Sequence, residues 1–548
     1  MLPTCSSRQI QRLSVDDDPL ALSTHLGCSN LLATVMRSRW GDDPDKLSSL
    51  LVDDLPGSLQ NLDLGPDVDR ALELWNKAVP NQKVLVYGDY DVDGVSSSAL
   101  AIELAGLSGA SSVSYYLPHR QNEGYGVHRW VIQAAVVKGF QTLIVVDCGS
   151  KDVEAIDQAV RSGMTVIVFD HHSVDGDVIA IPGFVNPQRG GCAEACRLCA
   201  TAVLWAWAFR CAVAPREWLF DRLDLVALAT VADCMPLGPL NRALVGQGLD
   251  VLRNRPRPGL LELCQRLSVS PAILDEETLS MKLVPCLNAA GRLDVADRAL
   301  DVVLGNGDVA HLYELNQHRK EISATITSTI VQKIERSMMQ VHYDESWPVG
   351  VLSAVASRLC YGYDRAFALA APSGNGIRGT LRVPEGGNAV QILSDLDNLL
   401  EGWGGHQYAA GFSVTPDRWD LLTIELDRRL KAIISPEKVD VVIDWDPSRF
   451  DMGLWHDLRR IGPFGHSHPF PAFFVPRRGG ERLQPLGKGG LHGKIDVGSG
   501  TLLAFNGARQ HCSMEDIYGW VYRPRLNEWK GRLSLQFVVE KIVLADGA

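Results

Sequence analysis

Apolar and polar positions change their period repeatedly between residues 84 and 170. Short apolar runs of the kind that form buried strands alternate with longer stretches in which apolar residues recur at helical spacing. The runs are Val84 to Tyr87, Val113 to Leu117, Leu143 to Val146 and Val166 to Phe169, and the helical stretches are Ser96 to Leu107, Trp130 to Val137 and Val153 to Val160. Because strands that alternate with helices form parallel sheets with crossover connections, the pattern predicts an α/β domain.

The rest of the chain carries other patterns. Residues 1–80 indicate helices joined by Asp-rich turns, and an uninterrupted polar helical pattern from Val309 to about Met339 predicts one long helix. Residues 347–431 again mix strands and helices, whereas residues 439–548 show short strands with Gly-rich bends. Since 548 residues exceed what one hydrophobic core supports, we expect several domains.

Composition narrows the class of protein. With 46% hydrophobic residues the chain is globular, and its longest apolar run, near Leu198 to Phe209, is too short to cross a bilayer. Met1 to Thr4 lacks the basic and apolar pattern of a signal peptide. Scattered cysteines favour reduced thiols over a disulfide framework. We therefore expect a cytoplasmic protein with no membrane attachment.

The charge is unevenly distributed. A net charge of −12 argues against general affinity for polyanions, yet residues 477–532 contain ten Lys/Arg and five Asp/Glu. Aromatic residues in the same stretch are typical of a surface on which the bases of a single strand stack. For each of them, a place in the domain core is the alternative. They are Phe505, Tyr518, Trp520, Tyr522 and Trp529.

Three carboxylates follow the first strand of the α/β pattern at a spacing of two residues. Asp89, Asp91 and Asp93 lie in a turn that Gly94 closes. On an extended turn such side chains point the same way, so they would repel one another unless a cation neutralised them. A solvated acidic turn is the alternative. An EF-hand is disfavoured, because a strand precedes the motif and no Glu occupies the twelfth loop position.

Later elements of the pattern end in further candidate ligands. Asp147 follows one strand, Asp170, His171 and His172 follow the next, and Asp233 follows the apolar segment Leu223 to Val231. Taken alone, such an Asp is more often a helix cap and such a His is more often a core residue. Ligands of parallel sheets, however, bind beyond the carboxyl ends of the strands. A set of Asp residues with one His favours Mn²⁺ or Mg²⁺ over zinc. So many carboxylates favour two ions, as in phosphoester hydrolysis.

Four segments resemble, in order and spacing, the motifs of the DHH phosphoesterases. They are Asp89 to Gly94, Asp147 to Gly149, Asp170 to His172 and Ala232 to Leu237. The chain is also similar to one branch of that superfamily, the RecJ single-strand-specific DNA exonucleases. The segments that carry this second resemblance are Pro118 to Arg120, Glu123 to Gly126, Asn288 to Arg292, Gly404 to Gly411, Gly462 to Gly465, and Asn527 with Trp529. The similarity covers nearly everything after about residue 20.

The resemblance implies roles for the acidic residues and histidines. One ion would bind Asp89, Asp91 and Asp147, and the other would bind Asp93, Asp147, His171 and Asp233, with Asp147 as the bridge. His172 would face the scissile phosphate, where an imidazolium stabilises developing charge. Asp170 would orient the two histidines from behind. His406 would contact the substrate phosphates, with Gly405 permitting close backbone approach.

The resemblance also implies residues that bind the DNA. We predict that Arg120 and Arg382 clamp the terminal 5′-phosphate across the cleft, because guanidinium groups suit its three free oxygens, and that Tyr125 stacks on a nearby base. Surface ion pairs of the two arginines are the alternative. Asn288, Arg292 and Thr380 are further implied contacts of the substrate. The segment Gly379 to Arg382 departs from the Ser-Gly-Arg-Ser usual in the family, and we expect Leu381 to narrow the pocket.

The implied fold is α/β with five parts. They are an N-terminal helical lead-in at residues 1–80, a catalytic DHH domain with a parallel sheet at residues 81–300, a connecting helix at residues 301–345, a smaller α/β DHHA1-type domain at residues 346–432, and an OB-like β-barrel that binds nucleic acid at residues 433–548.

Cys192, Cys196 and Cys199 have the spacing that holds an iron–sulfur cluster in some radical enzymes. The same spacing predicts one face of a helix, and the cysteines precede an apolar segment instead of following a first barrel strand. We interpret them as buried or incidental thiols. A structural metal site shared with Cys211 is the alternative.

Together these features predict a two-metal hydrolase that degrades single-stranded DNA from its 5′ end in repair and recombination. An oligonucleotide or cyclic-dinucleotide phosphodiesterase and a non-catalytic replisome scaffold are the alternatives. Those phosphodiesterases are generally shorter, and those scaffolds have lost metal-binding carboxylates. We expect a monomer whose partners are single-stranded DNA, a single-strand-binding protein and a helicase.

Overall fold

Three sheets organise the chain in the computed structural model. The residues described are 4–6, 10–15, 20–52, 54–60, 62–174, 181, 183–337, 339–436, 439–487, 492–498, 500–505, 514–529 and 531–545.

The N-terminal part contains two strands followed by five helices. They are β1 (Thr4–Ser6), β2 (Ile10–Leu13), α1 (Leu20–Leu26), α2 (Asn30–Trp40), α3 (Pro44–Ser49), α4 (Leu55–Gln60) and α5 (Val68–Ala78). Both strands pair with the C-terminal sheet, so the expectation that residues 1–80 form only helices is wrong at this end. Strands of three or four residues are too short to show a period, and distant partner strands decide their conformation.

The predicted α/β pattern forms a five-stranded sheet. Its strands are β3 (Lys83–Tyr87), β4 (Ser112–Tyr116), β5 (Thr142–Val146), β6 (Thr165–Phe169) and β7 (Phe184–Val185), and the helices between them are α6 (Val92–Leu107), α7 (Arg129–Val137) and α8 (Val153–Arg161). Every neighbouring pair is parallel, in the order β4-β3-β5-β6-β7. The chain moves outward from β3 to β4 and then returns to the other side of β3. This reversal opens a crevice at the carboxyl ends of β3 and β5.

Helices cover one side of this sheet and lead out of the domain. They are α9 (Ala200–Arg210), α10 (Arg216–Phe220), α11 (Leu223–Ala232), α12 (Pro239–Asn254), α13 (Pro258–Arg266), α14 (Glu276–Thr278), α15 (Val284–Leu293), α16 (Asp297–Leu304) and α17 (Val309–Ser337). Apolar residues of α6, α9 and α11 meet the sheet in one large core. The predicted long helix is confirmed as α17.

The smaller domain is built on a second five-stranded sheet. Its elements are β8 (Val341–Tyr343), α18 (Val349–Tyr363), β9 (Phe367–Ser373), β10 (Gly376–Arg382), α19 (Ala389–Ser394), β11 (Gly402–His406), β12 (Ala409–Val414) and α20 (Trp419–Lys431), with the strand order β11-β12-β10-β9-β8. Gly350, near the start of α18, packs against the backbone of Arg292 in α15, where an added Cβ would lie 2.2 Å from the Arg292 carbonyl oxygen. The two domains therefore meet closely at this point.

The C-terminal part is the predicted strand-rich region. Its elements are β13 (Asp440–Asp444), α21 (Met452–Arg459), β14 (Phe473–Pro476), β15 (Leu483–Leu486), β16 (His492–Val497), β17 (Gly500–Ala504), β18 (Ile517–Trp529) and β19 (Arg532–Leu544). The sheet runs β15-β16-β17-β19-β18-β14-β13-β2, and β1 lies alongside β19. Leu32 and Met36 of α2 are buried in the same core as Trp520 and Val539. Helix α2 therefore packs in the core of the C-terminal domain.

Candidate metal centre and substrate cleft

The acidic turn after β3 starts a helix instead of continuing as extended chain. Asp91 is the N-cap of α6, and its Oδ1 accepts hydrogen bonds from the backbone N–H of Asp93 at 3.0 Å and of Gly94 at 3.3 Å. The expectation of an extended turn is therefore wrong, since this cap places Asp93 in the first helical turn. A Cβ on Gly94 would lie 2.4 Å from the carbonyl oxygen of Asp89, so this tight return needs glycine.

Six of the predicted ligands form two adjoining groups. In each group the ligand atoms lie within 4.8 Å of one another: Asp89, Asp91 and Asp147 form the first, and Asp93, His171 and Asp233 form the second. His171 Nε2 lies 3.4 Å from Asp147 Oδ1, which connects the groups. It also lies 3.8 Å from Asp93 Oδ2 and 3.6 Å from Asp233 Oδ2. The carboxyl ends of β3, β5 and β6 and the end of α11 thus converge on one place.

Asp147 holds an unusual backbone conformation. Its φ is +59°, in the left-handed region that Asp and Asn enter more easily than other non-glycine residues. Its N–H donates to the carbonyl oxygen of Phe169 at 3.0 Å, so the neighbouring strand fixes the bend. Such conformations are retained where the surrounding structure enforces them, and they cluster at functional sites.

Asp93 is held by the N-terminus of α9. Its carboxylate accepts the N–H groups of Ala200 at 2.7 Å and Thr201 at 2.9 Å, and the Thr201 hydroxyl at 2.6 Å. Helix N-termini stabilise negative charge. These bonds fix the buried carboxylate in its position beside His171.

The electrostatics of the cluster favour a bound cation. Burial, followed by the charges of the neighbouring carboxylates, raises the pKa of Asp89, Asp147 and Asp233 well above the usual range. Asp89 Oδ1 is buried and has no hydrogen-bond partner in the described chain. An oxygen-rich set with one imidazole suits Mn²⁺ or Mg²⁺, and a cation would relieve both the repulsion and the unsatisfied oxygen.

Asp170 contacts both histidines of the motif. It is fully buried, and its Oδ1 accepts the backbone N–H of His171 at 2.7 Å and the Nδ1–H of His172 at 2.8 Å. Its Oδ2 accepts the Ser150 hydroxyl at 2.5 Å. Burial lowers the pKa of His172, but the hydrogen bond and charge of Asp170 outweigh it and raise that pKa to about 9. The contact with Asp170 therefore favours the imidazolium form of His172.

Tyr125 contacts His172 directly. The Tyr125 hydroxyl lies 3.1 Å from His172 Nδ1 and donates to the Asp147 carbonyl oxygen at 3.2 Å. The two rings are 5.4 Å apart at an angle of 59°. The side chain is half-exposed, so Tyr125 contacts the imidazole of His172 while part of its ring is open to solvent.

Arginines from both domains meet beside this centre. The Arg120 guanidinium lies over the Tyr90 ring, 4.7 Å from its centroid. Burial and then the nearby charge of Arg120 lower the pKa of Arg382. Arg292 Nη1 crosses the domain boundary to donate to the carbonyl oxygen of Gly350 and to Ser353 Oγ, and burial with the charges of its neighbours lowers its pKa to about 9. Arginines of both domains thus lie close enough to influence one another's pKa, and Arg292 is also influenced by the charge of Asp91 in the acidic cluster.

Strand alternation decides which residues of β10 line this space. Thr380 and Arg382 are two residues apart on one face, and the Thr380 hydroxyl accepts Arg382 Nη1 at 2.9 Å. Leu381 points the other way and is fully buried in the core of the smaller domain. The expectation that Leu381 narrows the pocket is therefore wrong. Arg378, which the motifs did not single out, occupies the same face as Thr380 and Arg382, beside Gly124.

His406 lies at the end of β11 and is exposed. Burial on one side, followed by the charges of His172 and Lys151, lowers its pKa, so it faces the metal centre from the smaller domain. Gly405 has a φ of +150°, and a Cβ there would lie 2.4 Å from the Ala409 carbonyl oxygen. Asn288 lies on α15, one turn before Arg292, and its side chain forms no hydrogen bond within the described residues.

The three spaced cysteines do not lie on one helix face. A 3₁₀ turn at Ala195–Arg197 separates Cys192 from Cys199, which is the N-cap of α9. Cys196 Sγ donates to the Pro187 carbonyl oxygen at 3.2 Å, and Cys199 Sγ lies 3.6 Å from Thr230 Oγ1. None of the clustered ligand groups in the described chain contains a cysteine. The prediction of one helix face is wrong because Leu198 and Cys199 leave helical geometry to start a new helix.

The C-terminal aromatic residues divide between core and surface. Trp520 and Tyr522 are fully buried, and the Tyr522 hydroxyl donates to the Trp445 carbonyl oxygen at 2.7 Å. Tyr518 is half-buried against Phe474, and Phe505 is 38% exposed. The side chain of Trp529 lies outside the described residues. For Trp520 and Tyr522, the alternative position in the domain core is confirmed, because these positions of β18 face the core.

Several basic residues of the same stretch are paired with carboxylates. The pairs are Arg478 with Asp446, Lys494 with Asp496, Arg523 with Glu540 and Arg525 with Glu277. The positive charge that this stretch can offer to a polyanion is therefore smaller than the numbers of Lys/Arg and Asp/Glu in residues 477–532 implied.

Three residues that hold the candidate ligands or their neighbours in place were not predicted from the sequence. Ser150 and Thr201 hold Asp170 and Asp93, and Asn186 donates to both the Ser150 hydroxyl and the His172 carbonyl oxygen, at 2.9 and 3.0 Å. All three side chains are buried polar groups. Ser150 follows the Asp147 motif directly, but single Ser, Thr and Asn residues carry no spacing that would reveal them.

Family models match three regions of the chain. The DHH family, N-terminal domain, matches residues 83–230, the DHHA1 domain matches residues 327–432 and the RecJ OB domain matches residues 439–541. These matches confirm the predicted fold class. No helix among the described residues is long and apolar enough to cross a membrane.

Similar proteins cover most of the chain. It is 31% identical over 536 residues to the single-stranded-DNA-specific exonuclease RecJ of Dickeya dadantii (strain 3937), covering 87% of this chain and 90% of that protein. A crystal structure of RecJ from Thermus thermophilus in complex with Mn²⁺ matches with a TM-score of 0.79 at 23% identity, covering 97% of this chain and 79% of that chain. The Mg²⁺ complex from the same organism matches with a TM-score of 0.71 at 22% identity, covering 97% and 78%. At these identities the two structures show the fold.

Proposed function

This chain belongs to the RecJ family of single-stranded-DNA-specific exonucleases, and from that premise we propose that it hydrolyses single-stranded DNA from the 5′ end. The observation that carries the proposal is the pair of adjoining ligand groups at the carboxyl ends of β3, β5 and β6. Every carboxylate and histidine that the motif pattern requires is present there. The Thermus thermophilus relative has been crystallised with Mn²⁺ and with Mg²⁺.

Two Mn²⁺ or Mg²⁺ ions are the proposed cofactors. Asp89, Asp91 and Asp147 would hold one, and Asp93, Asp147, His171 and Asp233 would hold the other. Bound there, such cations lower the pKa of water and neutralise charge on phosphoryl oxygens. The unsatisfied Asp89 oxygen and the raised pKa values of three carboxylates support this assignment.

His172 and His406 are the proposed phosphate contacts beside the ions. The hydrogen bond from His172 Nδ1 to Asp170 keeps the imidazole protonated and fixes the ring. The positively charged ring then stabilises negative charge that develops on the phosphoryl group. His406 approaches from the smaller domain, so closure of the cleft would complete the site. Tyr125 orients His172 and contacts the incoming strand.

The arginine-lined space between the domains is the proposed pocket for the strand end. Arg120 and Arg382 come from different domains and would share a terminal 5′-phosphate, with Thr380, Arg292 and Asn288 around it. Guanidinium groups suit a terminal phosphate better than an internal diester, because it offers three oxygens and more negative charge. A pocket that binds only a terminal phosphate would restrict cleavage to the 5′ end of the strand.

The domain division proposed from the sequence is retained with one change. Residues 81–300 would carry catalysis, residues 301–345 would connect, residues 346–432 would close over the strand end and residues 433–548 would guide the DNA. We add β1, β2 and α2 to the last of these units, because they pair and pack with its sheet.

The proposed setting is the cytoplasm, with a monomer acting on DNA presented by a single-strand-binding protein and a helicase. The ten cysteines whose side chains the structure describes are free thiols, which fits a reducing compartment. A role in repair and recombination belongs to the same proposal. The phosphodiesterase and scaffold alternatives are not favoured, because the C-terminal domain and the complete carboxylate set are both present.

The test is an end-labelling assay on single-stranded DNA with added Mn²⁺ or Mg²⁺. We expect a 5′ label to be released at once as mononucleotide, a 3′ label to appear only in progressively shortened strands, and duplex DNA to be resistant. Chelation should abolish the reaction. Early release of the 3′ label would overturn the polarity, and equal cleavage of circular single strands would overturn the end requirement.

A further inference from the structure

Helix α18 presents two serines to the arginines of the end pocket. Ser353 and Ser357 are four residues apart and therefore lie on one face of the helix. Ser353 Oγ accepts Arg292 Nη1 at 2.9 Å, and Ser357 Oγ accepts Arg382 Nε at 3.0 Å. Both arginines were expected from the sequence to contact the substrate, whereas neither serine belongs to a motif that we used.

The hydrogen bonds of Arg382 leave one side of its guanidinium available. An arginine has five N–H groups. The Nε–H donates to Ser357, and the two N–H groups of Nη1 donate to Thr380 Oγ1 and to the Leu381 carbonyl oxygen, both at 2.9 Å. The two N–H groups of Nη2 have no acceptor within the described chain. The protein therefore fixes three donors and directs the remaining two into the pocket that Arg120 shares.

Ser357 contributes differently from the other two acceptors. Thr380 and Leu381 both belong to β10 and both hold Nη1, so together they fix a single corner of the guanidinium. Ser357 holds the opposite end of the planar group from a different element. Without that bond the guanidinium is held by hydrogen bonds at Nη1 alone, so its plane and the direction of Nη2 are less constrained.

Arg292 contacts the same face of α18 through Ser353, but it is held differently from Arg382. Its Nη1 also donates to the Gly350 carbonyl oxygen at 3.0 Å, and its side chain is half-buried at the domain boundary. Loss of the Ser353 bond would leave Arg292 held by the backbone and by packing. Arg382 has no comparable second anchor at its Nε end.

We propose that Ser357 is a positioning residue that sets the preference of this enzyme for 5′-phosphorylated ends. It acts by aligning Arg382 and does not itself touch the DNA. The inference rests on the proposed end pocket. It adds the residue that fixes the orientation of the Arg382 guanidinium in that pocket. Fixed donors discriminate between a terminal phosphate and a hydroxyl better than mobile ones, because less conformational freedom is lost when the end binds.

The test compares initial rates on strands with a 5′-phosphate and with a 5′-hydroxyl. Ser357→Ala is expected to reduce the ratio of the two rates about three- to tenfold, as for one hydrogen bond to a charged group, mainly by raising KM for the phosphorylated strand. Ser357→Thr keeps the hydroxyl and should retain most of the wild-type ratio. Alanine has the higher helix propensity, so Ser357→Ala is not expected to unfold α18. Ser328→Ala, a serine-to-alanine change on α17 whose hydroxyl donates only to the Thr325 backbone, is the matched control.

Arg382→Ala and the double variant separate this inference from the proposed pocket. If Arg382→Ala lowers the ratio and Ser357→Ala adds nothing to it, Ser357 acts through Arg382. If Arg382→Ala lowers the ratio while Ser357→Ala leaves it at the wild-type value, the positioning role is refuted and the pocket stands. If neither variant changes the ratio, the pocket itself is refuted. A fall in both rates by the same factor in Ser357→Ala would show a merely structural role.

Discussion

At the scale of single residues, Asp147 combines a central position in the candidate metal centre with burial and an unusual backbone conformation. It lies between the two ligand groups, it is buried, and its φ of +59° is imposed by the neighbouring strand. Burial and four nearby carboxylates raise its pKa. Without a cation this arrangement costs stability, because like charges are held together away from water.

Asp147→Asn is therefore expected to have opposite effects on stability and on activity. Asparagine tolerates the left-handed backbone and removes one negative charge, so the chelated protein should melt at a higher temperature than chelated wild type. Cleavage and the stabilisation produced by added Mn²⁺ should both be lost. Thermal melts with EDTA and with Mn²⁺, together with the end-labelling assay, check this. Near-normal cleavage at saturating Mn²⁺ would contradict the bridging role.

At this scale the sequence predicted which candidate ligands come together, because the residue types and the strand ends that carry them are local features. Asp89, Asp147 and His171 each follow an apolar run that ends at the same edge of a parallel sheet. The direction of a side chain is different, because it depends on what packs behind it. Leu381 was misplaced for this reason: its alternation on β10 is visible in the sequence, but which face meets the core is decided by β9, β12 and the helices that cover them.

At the scale of elements, the first strands and α2 show where local pattern is insufficient. The long helix α17 and the strands β3, β5 and β6 were predicted because each has its own period or apolar run. β1 and β2 have only three and four residues, and their partners lie more than four hundred residues away. No window of sequence contains that pairing. The same holds for α2, whose apolar face predicts burial but does not identify the core that receives it.

Leu32→Ala tests to which domain α2 belongs. Leu32 is fully buried in the C-terminal core, so the substitution should lower the free energy of unfolding of that domain by about 2–5 kcal/mol. Hydrogen exchange should accelerate in β18 and β19 and stay unchanged in β3 and β5. Leu104→Ala, a matched change in the catalytic core, should give the reverse pattern. Faster exchange in β3 for Leu32→Ala would contradict the assignment of α2.

At the scale of the whole molecule, one buried ion pair joins the catalytic and C-terminal domains. Arg459 at the end of α21 donates two hydrogen bonds of 2.6 Å to the carboxylate of Glu276 in α14, and the N–H of Phe464 adds a third at 2.9 Å. Burial raises the pKa of Glu276, but the charge and hydrogen bonds of Arg459 outweigh it and hold that pKa below the usual value of 4.5. The Gly462 to Gly465 motif thus serves the contact between domains.

Glu276→Gln should weaken that contact in a pH-dependent way. Because the pKa of Glu276 is lower in the folded protein, its stabilising contribution is fully present above the ordinary glutamate pKa and is lost as the pH falls through the folded value. We expect the variant to be less stable by about 1.5–3 kcal/mol at pH 7 and to lose less stability than wild type on acidification toward pH 3. Denaturation at a series of pH values checks this, and parallel pH profiles would contradict it.

The pairing of β1 with β19 has a consequence for synthesis of the protein. Thr4 pairs with Lys541, so the first strand emerges from the ribosome more than five hundred residues before its partner. At about 5–20 residues per second, that interval is roughly half a minute to two minutes. Early in this interval all strands of the catalytic sheet have been synthesised. Helix α2, in contrast, still lacks the core that covers Leu32 and Met36. A nascent chain therefore carries a helix with an exposed apolar face until the strands β13 to β19 have been synthesised, which makes that helix the expected binding site for a chaperone.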